Sequence, residues 1–163
     1  MIEIRDLGDE EIGEIVARNN FAHFGCARHN VPYVVPIHYG YDDPYFYIFT
    51  TQGKKSEIIS INPQVCLQIG EIVDGKNWTS VIINGEADEI FDQDERDAAL
   101  RLITKTNPEL TPALSIRWMD SWIRENISMF YRITPMTMTG RASVPGSEIK
   151  TPYVPARPGQ KIQ

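Results

Sequence analysis

Apolar residues recur along this chain with two different periods, and the changes of period mark its elements. Segment 9–18 opens with Asp9, Glu10 and Glu11 and then sets Ile12, Ile15 and Val16 on one side. That spacing predicts a helix with acids in its first turn, where the helix dipole favours them. Asn19-Asn20 ends it. From Phe21 the period shortens. Segments 21–28, 31–41 and 45–51 are rich in aromatic and β-branched residues and are separated by His29-Asn30 and by Asp42-Asp43-Pro44. Asn tolerates the left-handed conformation, so His29-Asn30 is a tight turn, and the three segments form a meander of hairpins. Helical spacing returns over 54–61 and stops at Asn62-Pro63. Strands follow over 64–72 and 78–90, the second with Gly85 inside it, a mark of a bulge or a barrel corner. A helix over 94–106 is capped by Asp92 or Asp94. Another starts at Thr111-Pro112 and runs to about 127, with Trp118 and Trp122 in one of its two apolar stripes. Strand character returns over 128–142, interrupted at Pro135. The last residues carry Pro145, Pro152, Pro155 and Pro158 and form an extended arm.

Six strands with short helices, local antiparallel connections and no βαβ alternation predict a mainly β, α+β domain over 1–143: a small antiparallel barrel flanked by helices. The tail is 144–163. Composition agrees with one globular domain, at 163 residues with 42% hydrophobic and 23% charged. A net charge of -6 and a pI near 5.1 argue against a nucleic-acid partner or an anionic membrane surface. No run approaches the roughly 18 apolar residues of a membrane span. The first residues show no basic stretch followed by an apolar one, so the expected location is the cytoplasm. Cys26 and Cys66 are too few for a disulfide framework and read as reduced core thiols.

Candidate chemistry is narrow. No Gly-x-Ser-x-Gly elbow, Cys-x-x-Cys pair or His-Glu-x-x-His motif accompanies His23, His29 and His38, so neither a nucleophilic triad nor a metal centre is expected. Two segments stand out. Thr50-Thr51-Gln52-Gly53-Lys54-Lys55 joins a strand end to a helix start and offers two hydroxyls, free backbone N–H groups and two cations. Helix N-termini with such groups bind phosphate. The same residues also suit a polar turn with two solvated lysines. In the second strand, Pro36 removes a ladder donor, which suits either an opened strand facing a planar ligand or a bulged edge.

Taken in order, Pro32-Tyr33-Val34-Val35-Pro36-Ile37-His38-Tyr39, Phe49-Thr50-Thr51-Gln52-Gly53-Lys54-Lys55, Asn62-Pro63-Gln64-Val65-Cys66 and Trp78-Thr79-Ser80-Val81-Ile82-Ile83-Asn84-Gly85-Glu86-Ala87 resemble the FMN-binding split-barrel proteins related to pyridoxamine 5′-phosphate oxidase, especially their short nitroimidazole-resistance-like branch. The resemblance covers roughly 8–92, with a looser match at the last strand. It implies a six-stranded antiparallel Greek-key split barrel, a homodimer, and FMN in two interface clefts. It further implies that Val35, Pro36, Ile37, His38 and Tyr39 line the isoalloxazine. Thr50 and Thr51 would stand at the cofactor and Lys54 and Lys55 on its phosphate. Ser80, flanked by Trp78 and Val81, would face the flavin of the neighbouring subunit. The activity so implied is oxidation or reduction of a small molecule. A non-catalytic flavin-binding redox module and a haem-binding split barrel are the alternatives. In full oxidases the flavin-lining strand begins with Arg and ends with Lys, where this chain has Val34 and Tyr39. The oxidases' Arg-Leu-x-Pro signature is matched only partly by Arg132-Ile133-Thr134-Pro135.

Overall fold

The computed structural model describes residues 3–107 and 129–144. The helix read over 111–127, and the tail beyond Val144, lie outside the described residues. Among the described residues eight strands and three helices follow in the order β1 (Ile4–Asp6), α1 (Asp9–Arg18), β2 (Phe21–Arg28), β3 (Val31–His38), β4 (Gly40–Asp42), β5 (Tyr45–Thr50), α2 (Lys54–Ile61), β6 (Gln64–Ile72), β7 (Trp78–Glu89), α3 (Gln93–Thr106) and β8 (Met129–Ser143). The tight turn between β2 and β3 is built by His29 and Asn30, with φ of 51° and 62°. Asp92 caps α3, accepting from the Glu95 N–H at 2.9 Å.

Every strand pairing is antiparallel, in the order β3-β2-β6-β7-β8-β5-β4, and β1 pairs with the far end of β8. The first and last members of that path, β3 and β4, are separated in sequence by Tyr39 alone. The ring of staves is therefore completed through the chain itself, and six staves form a split barrel.

Eight strands rather than six arise from two local causes. The single strand expected over 31–41 breaks at Tyr39. There the backbone N–H makes the last bond towards the β2 side, to the Asn20 carbonyl at 3.0 Å, the carbonyl accepts from the Asn107 amide, and the phenol turns inward, so that Gly40 pairs with β5 instead. The three residues of β1 are all exposed, so no apolar alternation announces them, and they are held by backbone pairing from Ile4↔Ser143 to Asp6↔Arg141.

Pro135 does not interrupt β8. The register steps between Asn84↔Thr137 and Gly85↔Pro135, which leaves Met136 as an extra residue on β8. A Cβ on Gly85 would lie 2.6 Å from the Thr134 carbonyl oxygen. The missing proline donor and the missing glycine side chain thus occupy one bulge.

Alternate residues of each stave fill the barrel, among them Phe24, Phe46, Ile48, Leu67, Ile83 and Ile133. Helix α1 covers one end with Ile12, Ile15 and Val16. Tyr39 is fully buried against it, its hydroxyl donating to the Val16 carbonyl at 2.8 Å. No helix among the described residues is long and apolar enough to cross a membrane.

Candidate functional site

Strand β3 pairs with β2 along one edge, and among the described residues nothing pairs with its other edge. Its side chains alternate. Tyr33, Val35 and Ile37 turn to the core, while Val34, Pro36 and His38 face out. The strand ends 12 positions before Thr50, yet the two segments meet. Lys54 Nζ lies 4.8 Å from the centre of the Tyr33 ring, a cation–π contact.

The junction after β5 is built tightly. Thr50 is buried and its hydroxyl donates to the Thr51 carbonyl at 3.1 Å; Thr51 itself is exposed. Ser56 closes the start of α2, accepting from the Gly53 N–H at 2.9 Å and donating to the Gly53 carbonyl at 2.8 Å. The first amides of α2, at Lys54, Lys55 and Ser56, have no carbonyl one turn back to bond, and they face the same way as the dipole's positive end. Among the described residues neither Lys54 nor Lys55 forms an ion pair. Their charge reaches Cys26, whose thiol is pushed up by burial and drawn back down by Lys55 and Lys54. Cys66 is likewise raised by burial, and both cysteines are free thiols.

His38 is held in one orientation. Its Nδ1 lies 2.7 Å from Asn107 Oδ1. Asn107, at the end of α3, gives its Nδ2 to the carbonyls of Ile103 and Tyr39 and to Thr106 Oγ1. The amide oxygen is therefore the end that faces His38, so Nδ1 carries a proton towards it and Nε2 is the ring nitrogen left for another partner. Tyr39, the next residue, is committed inward. Its hydroxyl and both backbone groups bond within the chain, and burial pushes the phenol above its usual range.

On β7, Trp78 and Ser80 are half-buried and line a cleft of about 700 Å³. Its floor includes Ile82 and Met138, and Asp6, Asp9 and Arg141 stand on its walls. Val81 turns the other way and is fully buried in the core. Within one chain this cleft and the β3 edge are separate. From β7 to β3 the sheet steps through β6 and β2, about 14 Å at the usual strand spacing. The residues implied by the resemblance thus fall into two groups: Val35, Pro36, Ile37, His38, Tyr39, Thr50, Thr51, Lys54 and Lys55 in one, Trp78 and Ser80 in the other. Ile37, Tyr39 and Val81 contribute core side chains.

Sequence reading misses Tyr33 as the partner of Lys54, Asn107 as the anchor of His38, and Gln68 beside Ser80. Each depends on cross-strand register or on a helix end arriving from some 70 positions away, and no local pattern carries that. Arg132, in the partial Arg-Ile-Thr-Pro signature, is paired with Glu95 at 2.9 Å and lies over the Tyr45 ring. No cluster of three metal-ligating side chains occurs among the described residues.

An antiparallel barrel split along one stave, with a hydroxyl-rich basic junction beside its open edge, defines a split-barrel protein. The family model described as pyridoxamine 5′-phosphate oxidase matches residues 8–142, and the chain belongs to that family. It is 34% identical over 87 residues to the uncharacterized protein RA0666 of Rhizobium meliloti (strain 1021), a match covering 53% of this chain. The chain spans about 58% of that relative. Among solved structures it is similar to an FAD-binding protein (mll6688) from Mesorhizobium loti. That likeness has 29% identity and a TM-score of 0.70, and covers 88% of this chain and 99% of the other. It also shares its fold with a candidate 5-nitroimidazole antibiotic resistance protein from Bacteroides thetaiotaomicron, at 19% identity and a TM-score of 0.67, covering 88% and 91%.

Proposed function

We propose that this protein binds FMN as a cytoplasmic homodimer and uses it to oxidise or reduce a small molecule. The observation that carries the reading is the pair Lys54 and Lys55. They lack acidic partners among the described residues, they sit at the start of α2, and one of them lies against the open strand β3. A phosphate monoester there gains charge-assisted bonds from two ammonium groups as well as the first amides of the helix. The open edge of β3 gives the ring system a flat backbone surface, with His38 Nε2 beside it. Trp78 and Ser80 stand about three strands from that edge within one chain, and in this reading they approach the flavin from the partner. The flavin, when bound, supplies the hydride chemistry, and the chain supplies binding and orientation. Unpaired thiols at Cys26 and Cys66 suit a reducing compartment.

FAD is the second reading, favoured by the likeness to the Mesorhizobium protein at 29% identity. The visible spectrum of the purified full-length chain separates the classes: a flavin band is expected, and a Soret band would mean haem. Lys54→Ala combined with Lys55→Ala is expected to weaken FMN at least about tenfold, since each charge-assisted bond contributes roughly 1.5–3 kcal/mol. Riboflavin, which has no phosphate, is expected to lose much less. Equal losses for the two ligands would remove the phosphate from these lysines. Turnover of NAD(P)H with a nitroaromatic acceptor distinguishes a reductase from a binding module.

A further inference from the structure

Three polar side chains cross the outer face of the barrel in a row. His23 on β2 stands opposite Gln68 on β6, and Gln68 reaches to Ser80 on β7. His23 Nδ1 and Gln68 Oε1 are 3.0 Å apart, and Gln68 Nε2 lies 3.0 Å from Ser80 Oγ. Gly70, the register partner of Ser80, makes room for this. A Cβ at Gly70 would lie 2.9 Å from Gln68 Nε2. The amide lies in the gap that the absent side chain leaves.

The row has a direction. An amide nitrogen can only donate, so Ser80 Oγ accepts from Gln68 and its own proton is left for something else. Among the described residues Ser80 Oγ donates to no acceptor, and Ser80 forms part of the wall of the 700 Å³ cleft. At the other end, the amide oxygen can only accept, so His23 must carry its proton on Nδ1. Turning the amide over would reverse every member. His23 Nδ1 would be bare, and Ser80 would give its proton to Gln68 instead of the cleft. The tautomer of His23 therefore reports which way Ser80 points.

We infer that Gln68, backed by His23 and seated over Gly70, is a positioning residue that makes Ser80 a hydrogen-bond donor into the cleft, so that the ligand atom resting on Ser80 is an acceptor: a carbonyl oxygen or an unprotonated ring nitrogen. This rests on the flavin reading and deepens it, because an oxidised isoalloxazine presents acceptors of both kinds.

The test uses the full chain with riboflavin, which carries no phosphate, so a new carboxylate in the row does not act through charge repulsion on one. Ser80→Ala is expected to weaken riboflavin about tenfold, the loss of one hydrogen bond, and to shift the flavin absorption maximum. Gln68→Glu keeps the shape but offers only acceptors, so Ser80 turns its proton inward. It is expected to reproduce both changes, and adding Ser80→Ala to it is expected to change neither further. Gly70→Ala, which displaces the amide, is expected to move the spectrum in the same direction. Unchanged binding in Ser80→Ala, or wild-type behaviour of Gln68→Glu, would overturn the assignment. Nitrogen NMR of the His23 ring in the ligand-free wild type needs no variant to fold. The Nδ1–H tautomer is expected, and a bare Nδ1 would mean that the row runs the other way. A chain with no affinity for any flavin overturns the cofactor reading and leaves the direction of the row to this second measurement.

Discussion

Glu71 ties three elements together with one carboxylate. Arg18 at the end of α1 grips both its oxygens, at 2.6 and 2.9 Å, while Asn19 and Thr79 donate to it at 3.2 and 3.1 Å. The Arg18 hydrogen bonds, more than any other cause, hold its carboxyl down at about 2. In the unfolded chain the same group titrates near 4.3. A carboxyl depressed on folding adds stability that is fully present above the unfolded value and is lost as pH falls from about 4.5 towards 2. Arg18 is more than half exposed, so solvent screening reduces the contribution to about 1 kcal/mol. Glu71→Gln is therefore expected to lower stability by that amount at pH 7 and by much less near pH 2. Urea unfolding at the two pH values measures it, and an equal deficit at both would exclude the ion pair as the cause.

Among the elements, the β7–β8 pair shows how much one substitution depends on its place. At Gly85 an added methyl meets backbone, the Thr134 carbonyl at 2.6 Å, inside the bulge that also accommodates Pro135. Backbone cannot give way cheaply, so Gly85→Ala is expected to cost about 2 kcal/mol. At Gly13, inside α1, nothing lies within 4 Å of the new methyl, and Gly13→Ala is expected to stabilise by about 0.5–1 kcal/mol through the unfolded chain. Thermal unfolding of the two variants should move in opposite directions; a shared sign would show that the bulge tolerates a side chain. Gly85 is legible as a bend from the sequence because a glycine weakens a long β-branched strand and persists there where the backbone must bend or approach closely. The turn at His29-Asn30, the helix from Lys54 to Ile61 and the basic junction are legible for similar reasons, since each is set by neighbours within a few positions. The break at Tyr39 is not, because it depends on Val16 arriving from α1 and Asn107 from the end of α3. The same holds for the direction of the Gln68 row, which exists only once β2, β6 and β7 are in register.

At the scale of the molecule, the two groups of residues in the proposed flavin site lie about three strands apart, on the β3 edge and in the cleft of Trp78 and Ser80. In the proposed dimer a flavin touches one group on each copy, and it then stabilises the dimer by its preference for that state. Dilution is expected to release FMN and monomer together, and added FMN should move the midpoint to lower protein concentration. Sedimentation across a dilution series measures this, and a monomer that binds FMN as tightly as the dimer would exclude the shared site. The open edge that serves this reading has a second consequence, for solubility. An unpaired strand is a template on which another molecule's strand can stack, and repeated stacking leads to aggregates. In β3 the backbone groups of alternate positions, 32, 34, 36 and 38, face away from β2, and two of those positions are Pro32 and Pro36, which have no amide hydrogen to offer. Half the donors of the template are thereby missing. Pro36→Thr would restore one in a strand already rich in valine, and light scattering of the concentrated variant is expected to rise with time where that of the wild type stays flat.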